Sequence, residues 1–138
     1  MLLKTIKMVG PEIHNLIRDV VDFPKKGIVF KDITTLLMNK DISDKIIDEF
    51  ITRTSHLKID AIAGIESRGF LYGFMLANKM NIPFIPIRKA GKLPGETLSY
   101  SYDLEYGSAE IEVHKSDIKK GMNILVHDDL LATGGTAC

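Results

Sequence analysis

The sequence predicts an α/β fold with an open, largely parallel sheet, because short apolar runs alternate along the chain with amphipathic helical segments. Three apolar runs, at 59–65, 84–87 and 124–126, are short enough to be buried strands. Each run is followed by a polar or glycine-containing turn. Ligands of open α/β sheets bind at the carboxyl ends of the strands, so the turns after these three runs form the candidate site.

Composition limits the size of the fold and its partners. The chain has 138 residues, of which 45% are apolar and 26% charged, as expected of a single ordinary globular domain. Its 18 basic and 18 acidic residues cancel, so no overall field favours nucleic acid or a membrane surface. The lone cysteine, Cys138, leaves no intrachain disulfide, and the N-terminal residues MLLKTIKMVGPEI lack the apolar core of a signal peptide. We therefore expect a cytoplasmic protein without nucleic-acid or membrane partners.

The first part of the chain is expected to supply packing elements and one turn-rich segment. Apolar residues at helical spacing predict a helix from about Pro11 to Val20 and another from Asp41, as N-cap, to about Ser55. Between the helices, 22–27 carries turn residues, and 28–33 has the pattern of a short strand or extended segment. By itself this segment is a hairpin or loop, and neither helix is assigned any chemistry.

The stretch 124–137, ILVHDDLLATGGTA, carries the most chemical information. After the apolar run, the adjacent carboxylates Asp128 and Asp129 can accept hydrogen bonds from a vicinal diol or help to hold Mg²⁺. The Thr-Gly-Gly-Thr turn at 133–136 can cradle a phosphate with backbone N–H groups, and a helix starting there would direct its positive end at the same anion. The spaced glycines and Gly-Lys-Ser/Thr ending of a P-loop are absent. A diol and a phosphate together suggest a ribose 5-phosphate.

Two other turns after predicted strands carry positive charge. Glu66–Gly69 precedes a predicted helix, and Arg68 within it can grip an anion with its planar guanidinium group. The segment 88–95, RKAGKLPG, has three cations within five residues, with two glycines and a proline. Such a mobile basic loop can neutralise the charge that develops on a leaving pyrophosphate. Taken alone, each turn can also be read as a solvated surface loop, and for Arg68 that is the ordinary interpretation.

Alternation of apolar and polar residues predicts a hairpin from the segments 97–102 and 109–114, with its turn at 104–107. Glu110 and Glu112 alternate on the second strand of this hairpin, and both are expected to face solvent.

Five segments together resemble the type I phosphoribosyltransferases, in the form found in their adenine-specific members. The first is DDLLATGGTA, which resembles the motif that binds 5-phosphoribosyl 1-diphosphate (PRPP). The others are DFPKKGIVFKDIT, GIESRGF, IRKAGKLPGET and LEYG, and the resemblance runs from about 16 to 137. It implies an open, mostly parallel sheet with flanking helices and a hairpin lid, and transfer of the 5-phosphoribosyl group from PRPP to adenine, giving AMP and pyrophosphate in purine salvage.

The resemblance also implies a role for each matching residue. The ribose and 5′-phosphate would be bound by Asp128, Asp129, Ala132, Thr133, Gly134, Gly135 and Thr136. The pyrophosphate would be bound by Ser67, Arg68, Arg88, Lys89 and Lys92. Adenine would be bound by Val29, Phe30 and Lys31, within a base hood at about 16–35. Glu105 would be the catalytic acid–base group at N7 of adenine, and Tyr106 would help to close a flexible lid at about 90–108.

Further expectations follow from the same resemblance. Mg²⁺ would be bound mainly through PRPP, without a direct protein site, and residues 1–138 would form one phosphoribosyltransferase domain in a cytoplasmic homodimer. Two alternatives remain open: a phosphoribosyltransferase for another base, such as hypoxanthine, xanthine or orotate, and a truncated, non-catalytic protein that binds PRPP or nucleotides.

The sequence departs from the family pattern at two points. The family usually has an apolar residue where His127 stands, and strand alternation should turn this side chain away from the ligand, so we expect no catalytic role for it. The chain stops at Cys138, whereas the family continues with a helix after the phosphate loop. We therefore expect a C-terminally truncated fold, with a bare apolar sheet face and doubtful activity. The family also often has a non-proline cis peptide before the loop serine, which makes Glu66–Ser67 a candidate.

Overall fold

The computed structural model describes residues 10–104 and 107–129, and the chain divides into two compact units, 1–52 and 53–138. The first unit contains the short helix α1 (Gly10–Leu16), the strands β1 (Arg18–Val21) and β2 (Val29–Asp32), and the single-turn helix α2 (Thr34–Leu37). The longer helix α3 (Lys40–Thr54) begins in this unit.

Strands β1 and β2 form an antiparallel hairpin, in which Val20 pairs with Phe30. The guanidinium group of Arg18 donates to the carboxylate of Asp32, and the ammonium group of Lys31 lies 2.6 Å from Asp19. The prediction of a helix continuing to Val20 is therefore wrong, because the helix ends at Leu16 and the next residues pair with β2. The apolar spacing at Val20 suits a strand as well as a helix, and the cross-strand ion pairs favour the strand.

Helix α3 matches its prediction except at its first turn. The side chain of Asn39, and not that of Asp41, caps the helix, since Asn39 Oδ1 accepts the N–H of Ile42 at 3.1 Å. Ile42, Ile46 and Ile47 form its buried apolar face, as the periodicity predicts. At 15 residues α3 is the longest helix described, and among residues 10–104 and 107–129 no helix is long and apolar enough to cross a membrane.

The second unit is a five-stranded sheet with a helix packed on it. Its elements are β3 (Ala61–Ile65), α4 (Gly69–Met80), β4 (Phe84–Lys89), β5 (Thr97–Leu104), β6 (Gly107–His114) and β7 (Ile124–His127). The strand order is β5-β6-β4-β3-β7. The pairs β3–β4 and β3–β7 are parallel, whereas the β5–β6 hairpin joins β4 in antiparallel orientation. This arrangement confirms the predicted α/β fold, with a parallel centre and an antiparallel hairpin at one edge.

The core of this sheet is built from small and branched residues. Ala61, Ala63 and Ile85 are buried together, and half-buried apolar side chains surround them: Ile87, Val113, Ile118, Met122 and Ile124. On the other face of the sheet, Ile62 of β3 is fully buried, as is Leu76 of α4. Every residue of the central strand β3 is therefore buried, as its apolar run predicts, whereas Val126 on the edge strand β7 is 47% exposed.

Helix α4 approaches the sheet closely at two glycines. A Cβ atom placed on Gly64 would lie 2.7 Å from the carbonyl oxygen of Gly69 and 2.7 Å from the ring of Phe84. A Cβ atom on Gly69 would lie 2.7 Å from the carbonyl oxygen of His127. These distances are too short for any side chain, so both glycines are needed for the first residue of α4 to rest against the ends of β3 and β7.

The peptide bond between Glu66 and Ser67 is cis, which confirms the expectation for this loop. Phe23–Pro24 is a second cis peptide bond, in the hairpin turn of the first unit.

Gly64→Ala is expected to lower the free energy of unfolding by about 3 kcal/mol, because the new methyl group meets a backbone carbonyl that cannot move away. Gly73→Ala is the matched comparison, since its Cβ would meet only side chains, at 3.1 Å from Phe84 and 3.3 Å from His127. There the gain in helix propensity, about 1 kcal/mol, offsets the crowding. Urea unfolding followed by circular dichroism measures both variants, and equal stability of the two would contradict this packing argument.

Candidate active site

Three loops leave the sheet at the same edge, because the parallel strands run in register there. Gly64 lies opposite Pro86 on β4 and opposite His127 on β7. The segments that follow, at 66–69, 88–93 and 128–129, are therefore neighbours at the carboxyl ends of β3, β4 and β7. This is the edge at which open α/β sheets bind ligands, and the predicted grouping of the three loops is found.

An ion pair joins two of these loops. Arg68 Nε lies 3.1 Å from Asp129 Oδ2, and the side chain of Asp129 is only 7% exposed, against 31% for that of Arg68. The backbone N–H of Asp129 donates to Asp128 Oδ1 at 2.9 Å, which holds the Asp128 carboxylate against the backbone of the next residue. The structure thus brings together Arg68, predicted to bind pyrophosphate, with Asp129, predicted to bind ribose.

The pKa of Asp129 is raised from its ordinary value, chiefly because burial penalises the charged carboxylate. The Arg68 guanidinium group opposes this rise, whereas neighbouring Asp128 adds to it. A buried carboxylate of this kind is a strong acceptor for hydroxyl groups, since little water competes for its oxygens.

Glu66 connects the loop after β3 to the end of β4. Its carboxylate accepts from Arg88 Nε and Nη2, at 3.2 and 3.1 Å, and from the backbone N–H of Lys89 at 2.9 Å. The backbone N–H of Glu66 donates to the carbonyl of Ile87 at 2.8 Å. Bonding to Arg88 and then to the Lys89 N–H lowers the pKa of Glu66, so this carboxylate stays charged. The sequence motif contains Glu66, but this cross-link was not predicted from it.

The basic segment 88–95, which we call the basic turn, has a defined backbone conformation. The Nη1 group of Arg88 donates to the carbonyl oxygen of Lys92 at 3.2 Å, which closes the turn on itself. Gly91 and Gly95 adopt φ values of +79° and +82°, a region that L side chains rarely occupy. The two glycines noted in the sequence are therefore required by the backbone of this turn.

Glu112 on β6 also holds this turn, which corrects the expectation that it faces solvent. The residue is only 5% exposed, and its Oε1 atom accepts the backbone N–H groups of Lys92 and Leu93, each at 2.8 Å. Alternation assigned Glu112 to the solvent face because Ile111 and Val113 point the other way. Arg88 pairs with Glu112 in the antiparallel ladder, so the turn that follows β4 covers this carboxylate.

His127 joins β7 to the first residue of α4. Its imidazole is 7% exposed, and the Nδ1–H group donates to the carbonyl oxygen of Gly69 at 2.9 Å. The carbonyl can only accept, so the proton must be on Nδ1. The side chain also lies over Gly73, one turn along α4. Sequence reasoning predicted no catalytic role for His127, which stays a prediction, and it missed this structural contact.

The other predicted site residues belong to the first unit, to the loop after β3, or to parts of the chain outside the described residues. Val29, Phe30 and Lys31 are on β2 of the first unit, where Val29 is 49% exposed and Phe30 contacts Phe23 edge to face. Ser67 is exposed in the loop after β3. The remaining predictions fall outside 10–104 and 107–129: Glu105, Tyr106, Ala132, Thr133, Gly134, Gly135 and Thr136.

The site offers the kind of donors that a magnesium–phosphate complex requires. The carboxylate oxygens of Asp128 and Asp129 are hard ligands of the type that Mg²⁺ prefers. Within the described part of the chain, no group of three or more His, Cys, Asp or Glu side chains could hold a metal ion. These residues fit an ion that is bound chiefly through a ligand's phosphates, with one or two protein carboxylates nearby.

Comparison with known proteins agrees with this geometry. A family model described as the phosphoribosyl transferase domain matches residues 32–138. The fold and the loops at its carboxyl edge are therefore those of a phosphoribosyltransferase.

Three relatives show which phosphoribosyltransferases this chain resembles. Adenine phosphoribosyltransferase of Christiangramia forsetii is 52% identical over 126 residues, which is 91% of this chain and 74% of the relative. The crystal structure of adenine phosphoribosyltransferase from Thermoanaerobacter pseudethanolicus matches this structure with a TM-score of 0.88 and 48% sequence identity. The match covers 92% of this chain and 74% of the Thermoanaerobacter chain. The structure of the Saccharomyces cerevisiae enzyme, complexed with adenine and an imino-altritol bisphosphate, matches with a TM-score of 0.87 and 41% identity. This match covers 94% of this chain and 76% of the yeast chain. The chain belongs to the adenine phosphoribosyltransferase family.

His127→Val is expected to lower the free energy of unfolding by about 1 kcal/mol, because the Gly69 carbonyl loses a buried donor. We expect kcat with PRPP and adenine to stay within about twofold, since the imidazole is turned toward α4. His127→Asn, whose amide can donate in place of Nδ1–H, should recover part of the stability. His56→Val, at an exposed histidine of the same unit, is the control. A large fall in kcat at unchanged stability would instead give His127 a catalytic role.

Proposed function

We propose that this chain transfers the 5-phosphoribosyl group from PRPP to adenine, which gives AMP and pyrophosphate and is a purine-salvage reaction. The observation that carries the proposal is the junction of the loops after β3 and β7, where Arg68 meets the buried Asp129 at 3.1 Å. A cation and a diol-binding carboxylate are thereby placed side by side. PRPP has the matching arrangement, since its diphosphate is attached to the ribose next to the 2- and 3-hydroxyl groups.

The first step is binding of the diphosphate by the positive groups of two loops. Arg68 supplies a planar guanidinium group with several N–H donors, and its side chain as a whole is 31% exposed. Arg88, held by Glu66, and the lysines Lys89 and Lys92 add charge from the basic turn. Ser67 adds a hydroxyl donor. These groups would stabilise the negative charge that grows on pyrophosphate as it leaves.

The second step is recognition of the ribose and its 5′-phosphate. Asp128 and Asp129 accept hydrogen bonds from the ribose hydroxyls and hold the sugar as C1′ gains positive character. The 5′-phosphate is assigned to the residues of the following turn: Ala132, Thr133, Gly134, Gly135 and Thr136. Mg²⁺, bound to the diphosphate near these carboxylates, would neutralise part of its charge.

The third step takes place at the base. We assign adenine to Val29, Phe30 and Lys31 of the hood at 16–35. The solved relative from Saccharomyces cerevisiae was complexed with adenine, which supports this choice of base. Adenine loses the N9 proton while N7 can carry one, so Glu105 at N7 can stabilise the reactive tautomer. Tyr106 in the lid at 90–108 would help to exclude water, which could otherwise hydrolyse PRPP at C1′.

Three further expectations belong to this proposal. Residues 1–138 would act as one catalytic domain. The protein would be a homodimer, as the family usually is, and it would work in the cytoplasm. Light scattering of the purified chain gives the oligomeric state.

The proposal predicts AMP and pyrophosphate formation when the purified chain is incubated with PRPP, Mg²⁺ and adenine, and little product with hypoxanthine, guanine or orotate.

Glu105→Ala should lower kcat by about 100-fold or more, with PRPP binding nearly unchanged, because general acid–base catalysis contributes on this scale. Asp128→Ala and Asp129→Ala should instead weaken PRPP binding. No AMP from adenine would reject the function for this chain, and full activity of Glu105→Ala would reject the role of Glu105.

A further inference from the structure

Glu112 is the most thoroughly buried carboxylate in the described part of the sheet, and no step of the proposed reaction uses it. Its Oε1 atom accepts the N–H groups of Lys92 and Leu93 at 2.8 Å each. Hydrogen bonds from Leu93, Lys92 and Gly91 lower its pKa in spite of burial, so the group is ionised at neutral pH. Burying a charge is costly, and this cost is offset only because the turn supplies several donors.

We propose that Glu112 is a positioning residue for pyrophosphate binding, which fixes the backbone of the basic turn so that Arg88 and Lys92 are presented to the diphosphate. This inference rests on the proposed function, because it specifies how the pyrophosphate part of the site is assembled. Glu112 acts on the turn and does not itself contact the anion, which its negative charge would repel.

The hydrogen-bond pattern suits such a role. Glu112 accepts from the backbone N–H of Lys92, and Lys92 is an exposed residue. The guanidinium group of Arg88 is held separately, by Glu66 from the other side and by the carbonyl oxygen of Lys92. Two carboxylates therefore hold the turn, one from the loop after β3 and one from β6.

Electrostatics explains why a carboxylate is needed there. The turn has three cations within five residues, which repel one another and favour an extended, solvated loop. A buried negative charge beneath the turn reduces this repulsion and stabilises the folded conformation. The left-handed glycines Gly91 and Gly95 make the turn possible, but they do not select it, because glycine also populates many other conformations.

Glu110 provides a matched comparison on the same strand. It lies two residues before Glu112, on the same face of β6, yet its side chain is exposed. Its backbone carbonyl accepts the N–H of Ala90 at 3.0 Å, a contact that side-chain substitution leaves intact. The two glutamates therefore share charge, strand and face. They differ in that Glu112 is buried and accepts hydrogen bonds from the turn and from the side chain of Thr97.

The test compares Glu112→Gln and Glu112→Ala with Glu110→Gln in the full chain. Calorimetric titration with pyrophosphate and Mg²⁺ measures binding without adenine, and steady-state kinetics gives KM for PRPP and for adenine separately. We expect Glu112→Gln to weaken pyrophosphate binding about fivefold and to raise KM for PRPP similarly, with KM for adenine within twofold of the parent value. Glu112→Ala should be more severe, and Glu110→Gln should match the parent.

Amide hydrogen exchange reports on the turn itself. Exchange at Lys92 and Leu93 should accelerate at least tenfold in Glu112→Ala and less in Glu112→Gln, which retains an acceptor oxygen. The inference is overturned if both Glu112 variants bind pyrophosphate as Glu110→Gln does, or if KM for adenine rises as much as KM for PRPP. A chain that binds pyrophosphate in a Glu112-dependent way but forms no AMP would reject the proposed reaction and uphold this inference.

Discussion

The arrangement of the site depends on one close contact, between the first residue of α4 and the ends of β3 and β7. Gly64 and Gly69 permit it, because a methyl group on either would lie 2.7 Å from a backbone oxygen. The hydrogen bond from His127 to the Gly69 carbonyl closes the same contact from β7. With α4 held this near, the preceding loop must cross the carboxyl edge of the sheet. Arg68 in that loop is then within reach of Asp129.

Carboxylates organise the positive groups around this contact. Glu66 holds Arg88, Asp129 holds Arg68, and Glu112 holds the backbone of the basic turn. The ion pairs place a negative charge beside each of the two arginines, which reduces the repulsion between them. These contacts join the loop after β3 to β4 and to the residues after β7, and they join β6 to the turn after β4, so loop position depends on one network.

The sequence predicted those features of the fold and site that depend on neighbouring residues, and it missed those that depend on contacts between distant parts of the chain. The strands β3, β4 and β7 are continuous apolar runs, typical of strands buried on both faces, and the sequence located all three. Val20 was misassigned because its spacing suits both a helix and a strand, and the pairing with β2 that decides it is not local. Glu112 was misassigned because alternation shows which face of β6 a residue occupies, but not that a loop from β4 covers that face. The chemistry of Arg68 and Asp129 was predicted from motifs, whereas their contact could come only from the fold.

The central claim is that the loops after β3, β4 and β7 form one binding site for PRPP. The most direct test is a crystal structure of this chain with PRPP and Mg²⁺. We predict that the diphosphate lies within hydrogen-bonding distance of Arg68 and of the basic turn. The ribose hydroxyls should donate hydrogen bonds to Asp128 and Asp129. A diphosphate bound away from this edge of the sheet, or a ribose that does not contact either aspartate, would contradict it.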